Sequence, residues 1–212
     1  MTGSPIHRVR NAEGEPEGAL VLVHGRGADE HDLLPFADAL DPGRRLVAVT
    51  PRGPLSLPPG GAHWYAVPRV GFPDPATFRA GYAALGSFLD GLPAMTGVPW
   101  SRTVLGGFSQ GAVMSLALGL GGGRPVPAGV LALSGFIPTV DGFVLDLQSR
   151  TALPVFVAHG AYDGIIPFAF AEAARETLAG HVLLEFHETP VDHRIDPRLV
   201  PTMREWLRRT LP

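Results

Sequence analysis

"TVLGGFSQGAVMSLAL", residues 103–118, passes from an apolar run through two glycines to Phe108, Ser109, Gln110 and Gly111, then into a segment with helical apolar spacing. A hydroxyl between glycines at a strand-to-helix junction raises a specific expectation. A serine hydroxyl is a weak nucleophile until a base takes its proton, and it reaches a substrate only if it stands clear of the sheet. A sharp turn lifts it clear but strains the backbone, and the residues two positions away on either side must lack side chains so that strand and helix can approach. Gly107 and Gly111 fill those positions. In a chain with 27 glycines the bare Gly-x-Ser-x-Gly pattern is a weak signal, so its weight comes from the strand before it and the helix after it. The helix N-terminus beneath Ser109 also supplies N–H groups and positive dipole where negative charge would develop.

Outward from that junction the chain repeats the same alternation. Short apolar runs occur at residues 19–25 (ALVLVHG), 44–51 (RRLVAVTP), 102–109 (RTVLGGFS), 128–135 (AGVLALSG), 154–160 (PVFVAHG) and 182–188 (VLLEFHE). Most are apolar at consecutive positions, the pattern of strands covered on both faces in a parallel sheet. Helical spacing appears between several of them, in DLLPFADAL, ATFRAGYAALGSFLDGL, QGAVMSLALGL, FAFAEAARETLAG and LVPTMREWLRRTL. Alternating β and α predicts one α/β domain over residues 1–212, a mostly parallel sheet with helices on both faces. Pro167 suits the first turn of the fifth helix and Gly180 the position just past its end. Pro201 is tolerated only in the first turn of the last helix, which directs Met203, Trp206 and Leu207 inward. Two segments break the pattern. Residues 52–75 are rich in Pro, Gly and aromatics and read as an irregular functional loop, and residues 136–150 form a second irregular stretch.

Composition removes whole classes of chemistry. There is no cysteine, hence no disulfide, thiolate metal site or cysteine nucleophile. There is no lysine either, all 17 basic residues being arginine, which excludes a Walker phosphate loop, a lysine Schiff base and a Ser-x-x-Lys hydrolase. A net charge of -3 with scattered arginines argues against nucleic acid. The N-terminus has no apolar leader and no stretch has the length of a bilayer span, so the expectation is a cytoplasmic protein without stable membrane insertion.

If Ser109 is a nucleophile, an acid and a base should follow in the order Ser, Asp, His, each just past the carboxyl end of a later strand. Asp163 follows the fifth run in PVFVAHGAYDGIIP, and His193 follows the sixth in HETPVDHRIDP. Taken alone, Asp163 is a turn residue before Gly164 and His193 a surface histidine. After a nucleophile turn they become the carboxylate that steadies an imidazole and the base that takes the Ser109 proton. The oxyanion needs backbone donors, each worth roughly 3 to 4 kcal/mol of transition-state stabilisation. The N–H of Gln110 is one, and the N–H of Arg26, in the glycine-rich loop VLVHGRGADEHD, is the other. Gly25 and Gly27 also begin a dinucleotide fingerprint, but Glu30 stands where its third glycine belongs.

VLVHGRGADEHD, LGGFSQGAVMSLAL, AGVLALSGFIP, HGAYDGIIPFAFAEAA and DHRIDPRLVP together resemble, in order and over nearly the whole chain, the phospholipase/carboxylesterase family of α/β-hydrolases. The resemblance implies a minimal α/β-hydrolase without a large cap domain, with Ser109, Asp163 and His193 in the triad positions and Arg26 and Gln110 in the oxyanion positions. It implies hydrolysis of small-molecule carboxylic esters, with acyl thioesters or lysophospholipids as alternatives, and a homodimer as in relatives that pair. Two positions depart from the pattern: Asp192 replaces the glycine common before the histidine, and Ala66 replaces the acid that usually follows the aromatic pair.

Position relative to the strand ends nominates Trp64, Tyr65, Phe72, Phe136, Ile137 and Phe168 as pocket residues, with Phe143 beside them. The absence of a cap favours short to medium acyl chains. His24 and His159, each directly before a glycine at a strand end, read as supports for the site. The other histidines have no metal-ligand spacing, and neither metal nor cofactor is expected. Two other readings compete: a peptidase or amidase on the same triad, and a binding protein that kept the fold without the chemistry.

Overall fold

The computed structural model describes residues 5–211, so the first four residues of the N-terminal stretch and Pro212 lie outside it. Its main sheet has seven strands in the order β1-β3-β2-β6-β7-β8-β9. They are β1 (His7–Arg10), β2 (Gly18–Val23), β3 (Leu46–Pro51), β6 (Thr103–Phe108), β7 (Gly129–Leu133), β8 (Pro154–Gly160) and β9 (Leu183–Thr189). Only β1 runs antiparallel, against β3; the other neighbours are parallel. The six apolar runs are thus the six parallel strands. Consecutive apolar residues occur because both faces are covered. Ala19, Val21 and Val23 of β2 pack into one core with Leu85, Val113 and Met114, while Leu20 and Leu22 pack into another with Ala37, Met203 and Trp206.

The helices supply those covers. They are α1 (Leu34–Leu40), α2 (Pro75–Asp90), α3 (Leu92–Thr96), α4 (Gln110–Leu120), α5 (Ala169–Leu178) and α6 (Val200–Thr210). With α1 and α6 on one face and α2, α4 and α5 on the other, the α/β-hydrolase arrangement is complete without a large cap. All residues of α4 are buried, so it has no solvent stripe and reads as continuously apolar. In α6, Pro201 lies in the first turn and Met203, Trp206 and Leu207 are buried, as their spacing predicts. Gly180 follows α5 with φ +76°, a left-handed stop. Pro167, by contrast, lies ahead of the helix: Phe168 is the N-cap and α5 starts at Ala169.

Several short elements escaped the sequence pattern, the one-turn helix α3 (Leu92–Thr96) among them. Strand β1 is an edge strand with largely exposed polar residues, so it lacks an apolar signature. Residues 52–75 are not wholly irregular, because β4 (Leu55–Leu57) and β5 (Gly61–His63) pair into a small hairpin. Among the described residues no helix is long and apolar enough to cross a membrane.

Candidate active site

The turn after β6 strains one residue. Ser109 adopts φ 55°, ψ -120°, a region costly for an L-residue, and its N–H is held by Leu133 O at 2.9 Å. The glycines two positions away permit the turn for steric reasons. A Cβ on Gly111 would lie 1.8 Å from Val23 O, and one on Gly107 would lie 2.4 Å from the Gly111 carbonyl carbon. Helix α4 begins at the next residue, Gln110, with its positive end beside the hydroxyl.

Two later strand ends bring the other candidates to Ser109. His193 Nε2 lies 3.0 Å from Ser109 Oγ, and His193 Nδ1 lies 2.7 Å from Asp163 Oδ2. With Nδ1–H donating to the carboxylate, Nε2 is left to accept the serine proton. The Asp163 side chain is fully buried, and its orientation is fixed by main chain: Oδ1 accepts the N–H groups of Ile165 and Ile166 at 2.9 and 2.8 Å. That leaves Oδ2 facing the imidazole. Asp192 turns outward instead, exposed and paired with Arg194 at 2.9 Å, so it has no part in orienting His193.

The two flanking histidines are buried and neutral by geometry. His24 Nδ1 donates to Gly25 O at 2.7 Å and Nε2 accepts the Gly53 N–H at 2.9 Å, which assigns one proton and leaves no place for a second. Burial pushes its pKa down, against the opposing pull of the Gly25 carbonyl. His159 Nε2 donates to Ile166 O at 2.8 Å and lies 3.3 Å from Asp163 Oδ2, so it braces the loop that carries the acid. Burial lowers its pKa as well.

The loop after β2 is clamped against this centre. The N–H of Gly27 donates to Ala62 O and the N–H of Ala62 to Ala28 O, both at 2.8 Å, so the β4–β5 hairpin fixes the stretch containing Arg26. A Cβ on Gly61 would meet Gly27 O at 2.1 Å, which shows how closely the hairpin approaches. Neither the Arg26 nor the Gln110 N–H bonds a loop or side-chain acceptor among the described residues. The Gln110 side chain has a separate task. Its Oε1 accepts the Trp64 N–H at 3.0 Å and its Nε2 donates to Tyr65 O at 2.8 Å, fastening the aromatic pair to the serine turn.

A cavity of about 300 Å³ opens on Ser109, Gln110 and Arg26. Of the nominated pocket residues, Tyr65 and Phe136 line it. The other four lie elsewhere. Trp64 is 1% exposed and donates its indole N–H to His24 O, a core role. Phe72 is exposed beneath the Arg69 guanidinium, 3.6 Å from its ring centroid. Ile137 packs with the core around Leu116 and Val130, and Phe168 stands edge-on to His159 and Phe186. Phe143 packs with Phe78 and Tyr82. Aliphatic side chains supply the rest of the wall: Val67, Val70 and Pro73 from the segment after the hairpin, Ile165 and Ile166 from the Asp163 loop. The two isoleucines had a legible signal, since an aspartate that bonds the amides two and three residues ahead folds those residues back beside itself. The valines had none. Where the family pattern has an acid, Ala66 ties the segment through backbone: its N–H donates to Thr77 Oγ1 and its carbonyl accepts the Asp74 N–H, both at 3.0 Å.

Known proteins resemble this chain over most of its length. A family model described as Phospholipase/Carboxylesterase matches residues 4–211. Acyl-protein thioesterase 1 of Yarrowia lipolytica is 29% identical over 178 residues, 78% of each chain. The crystal structure of esterase PE8 superposes with a TM-score of 0.84 at 26% identity, covering 99% of this chain and 100% of that one. The Bacillus cereus carboxylesterase superposes with a TM-score of 0.83 at 23% identity over 99% of this chain and 96% of that one, a likeness of fold.

Proposed function

Because this chain belongs to the phospholipase/carboxylesterase family and is a hydrolase of the esterase and thioesterase type, we propose that it cleaves carboxylic esters through an acyl-enzyme on Ser109, with His193 as base and Asp163 as its orienting acid. The observation that carries the reading is the continuous hydrogen-bond chain Ser109 Oγ to His193 Nε2 at 3.0 Å and His193 Nδ1 to Asp163 Oδ2 at 2.7 Å. In the first half-reaction His193 Nε2 takes the Ser109 proton as Oγ bonds to the carbonyl carbon. The resulting oxyanion accepts the N–H groups of Arg26 and Gln110, and Asp163 stabilises the imidazolium. Collapse breaks the bond to the leaving group, which departs with the proton from Nε2. Water then repeats the sequence on the acyl-enzyme, releasing the acid and restoring Ser109.

The substrate is a short to medium acyl ester. A 300 Å³ cavity lies at the small end of ligand sites, and its aliphatic wall suits an acyl chain. An acyl thioester is the second reading, favoured by the name of the Yarrowia relative; both substrates share one acyl-enzyme and differ only in the leaving atom. Fluorophosphonate labelling of the wild type that disappears in Ser109→Ala tests the nucleophile, and its failure would leave a non-catalytic binding protein. Ranking kcat/KM for p-nitrophenyl esters, acyl thioesters and peptide anilides of graded chain length tests the substrate class. Anilide preference would make the protein an amidase, and faster turnover of long-chain thioesters or lysophospholipids than of short esters would overturn the chain-length assignment.

A further inference from the structure

Among the described residues, Arg26 is the one charged residue lining the cavity over Ser109. Several other arginines have defined partners: Arg10 holds Asp41 and Leu46 O, Arg150 holds Gly119 O and Gly121 O, Arg52 holds Glu30, and Arg194 holds Asp192. The exposed Arg26 guanidinium makes no hydrogen bond or ion pair with any described residue. Tyr65 borders the same space. It is only 1% exposed, and its hydroxyl has no hydrogen-bond partner among the described residues. No carboxylate lines the cavity to neutralise the arginine, and Asp163 is already engaged by His193 and two amides.

We propose that Arg26 and Tyr65 form an anion-recognition subsite, so that the preferred substrates are esters carrying a carboxylate or phosphate group close to the scissile bond. This rests on the serine-hydrolase reading above and names its substrate class. The planar guanidinium fork matches either anion through two parallel N–H donors, and the phenol O–H supplies a third. The aliphatic wall lowers the local dielectric, which strengthens the attraction relative to open water. Arg26 thus divides its duties, its main-chain N–H serving the reacting oxygen and its side chain a charge elsewhere on the substrate. Net charge opposes such substrates, since the chain as a whole carries -3. Selectivity of this kind therefore has to arise locally.

The test compares kcat/KM for meta-carboxyphenyl butyrate and its phosphate counterpart with the neutral meta-carbamoylphenyl butyrate. A second pair, monophenyl glutarate and its terminal amide, moves the anion to the acyl side. The wild type is expected to favour at least one anionic ester over its neutral partner, and the arms distinguish carboxylate from phosphate. In Arg26→Gln that ratio should fall about fivefold, the scale of a partly exposed ion pair. Arg26→Lys should restore part of it, Tyr65→Phe should lower it by less, and added salt should shrink it in the wild type. A ratio unchanged in Arg26→Gln while the neutral ester is still hydrolysed would overturn the subsite and leave the hydrolase reading intact. Lack of turnover of every ester, together with lack of fluorophosphonate labelling, would overturn both. If Arg26→Gln fails to fold, a salt-independent ratio unaffected by Tyr65→Phe overturns the subsite in the same way.

Discussion

Two serine turns stand side by side at the carboxyl edge of the sheet, one after β6 and one after β7. Ser109 has φ 55° and Ser134 has φ 51°, and each gives its N–H to a carbonyl at or near the end of the neighbouring strand, Leu133 O and Ala158 O respectively. Each has a histidine nearby, His193 at Ser109 Oγ and His159 beside Ser134 on the wall of a cavity of about 10 Å³. Both histidines approach Asp163 Oδ2, at 2.7 and 3.3 Å. The difference lies in which nitrogen is left over. His193 gives Nδ1 to the acid and keeps Nε2 for the serine. His159 commits Nε2 to Ile166 O and the acid, and its buried Nδ1 has no partner. A strained serine near a histidine and an aspartate is therefore insufficient for a relay; the connectivity of the imidazole separates the turn at Ser109, where serine, imidazole and carboxylate are linked, from the turn at Ser134, where they are not.

The largest separation should appear in turnover. Ser109→Ala is expected to lower kcat by about 10⁶ and abolish fluorophosphonate labelling, as losses of a triad nucleophile do, whereas Ser134→Ala should keep both. Labelling retained in Ser109→Ala and lost in Ser134→Ala would reverse the assignment. Next in size is the steric test of the two turns. Gly111→Ala forces a Cβ against Val23 O and should cost about 3 kcal/mol or more, read as the shift in a urea melt. Gly135→Ala brings a Cβ to 2.5 Å from Ala112 Cβ, which α4 holds in place, a smaller overlap than the 1.8 Å approach at Gly111, and should destabilise less.

A smaller effect is expected from acid. His24 and His159 have folded pKa values below the unfolded value, so the unfolded chain binds more protons as pH falls. Their contribution to stability is present above about pH 6.5 and is lost as pH drops below it. The melting temperature should therefore decline from neutral pH toward pH 5, and His159→Gln should flatten that decline; an unchanged slope would remove His159 from the account. The carboxylates whose pKa values are lowered, Glu30, Asp74, Asp146 and Asp196, lose their contribution only in more acidic solution. Smallest is the strain itself. Ser134→Gly should raise stability by up to about 1 kcal/mol, because glycine carries no Cβ penalty at positive φ. Ser109→Gly should gain similarly while losing activity, so equal gains would show that the two turns store comparable strain.

The sheet was legible because burial on both faces writes itself as unbroken apolar runs, and the serine turn because backbone contact at Gly107 and Gly111 admits no other residue. The order of Asp163 and His193 could be read for a related reason, since each lies just beyond the carboxyl end of a parallel strand. The pocket was harder. An aromatic at a strand end packs inward or lines a cleft according to its tertiary neighbours: Trp64 found the His24 carbonyl and the core, while Tyr65 beside it reached the cavity. Val67 and Val70 carry no periodic signal in an irregular segment, and the β4–β5 hairpin is too short to show alternation. Strand β1 went unread because an edge needs no apolar face.

Asp163 is anchored by the main-chain amides of Ile165 and Ile166, while the side chains of those same residues form part of the cavity wall. Anchoring and lining are thereby uncoupled at Ile165, which is 59% exposed: evolution or a designed library can exchange it for almost any residue and still hold the Asp163 carboxylate in register, whereas Ile166, buried in the core, accepts only apolar replacements of similar volume. Proline is the forbidden letter at either position, since it alone deletes an amide.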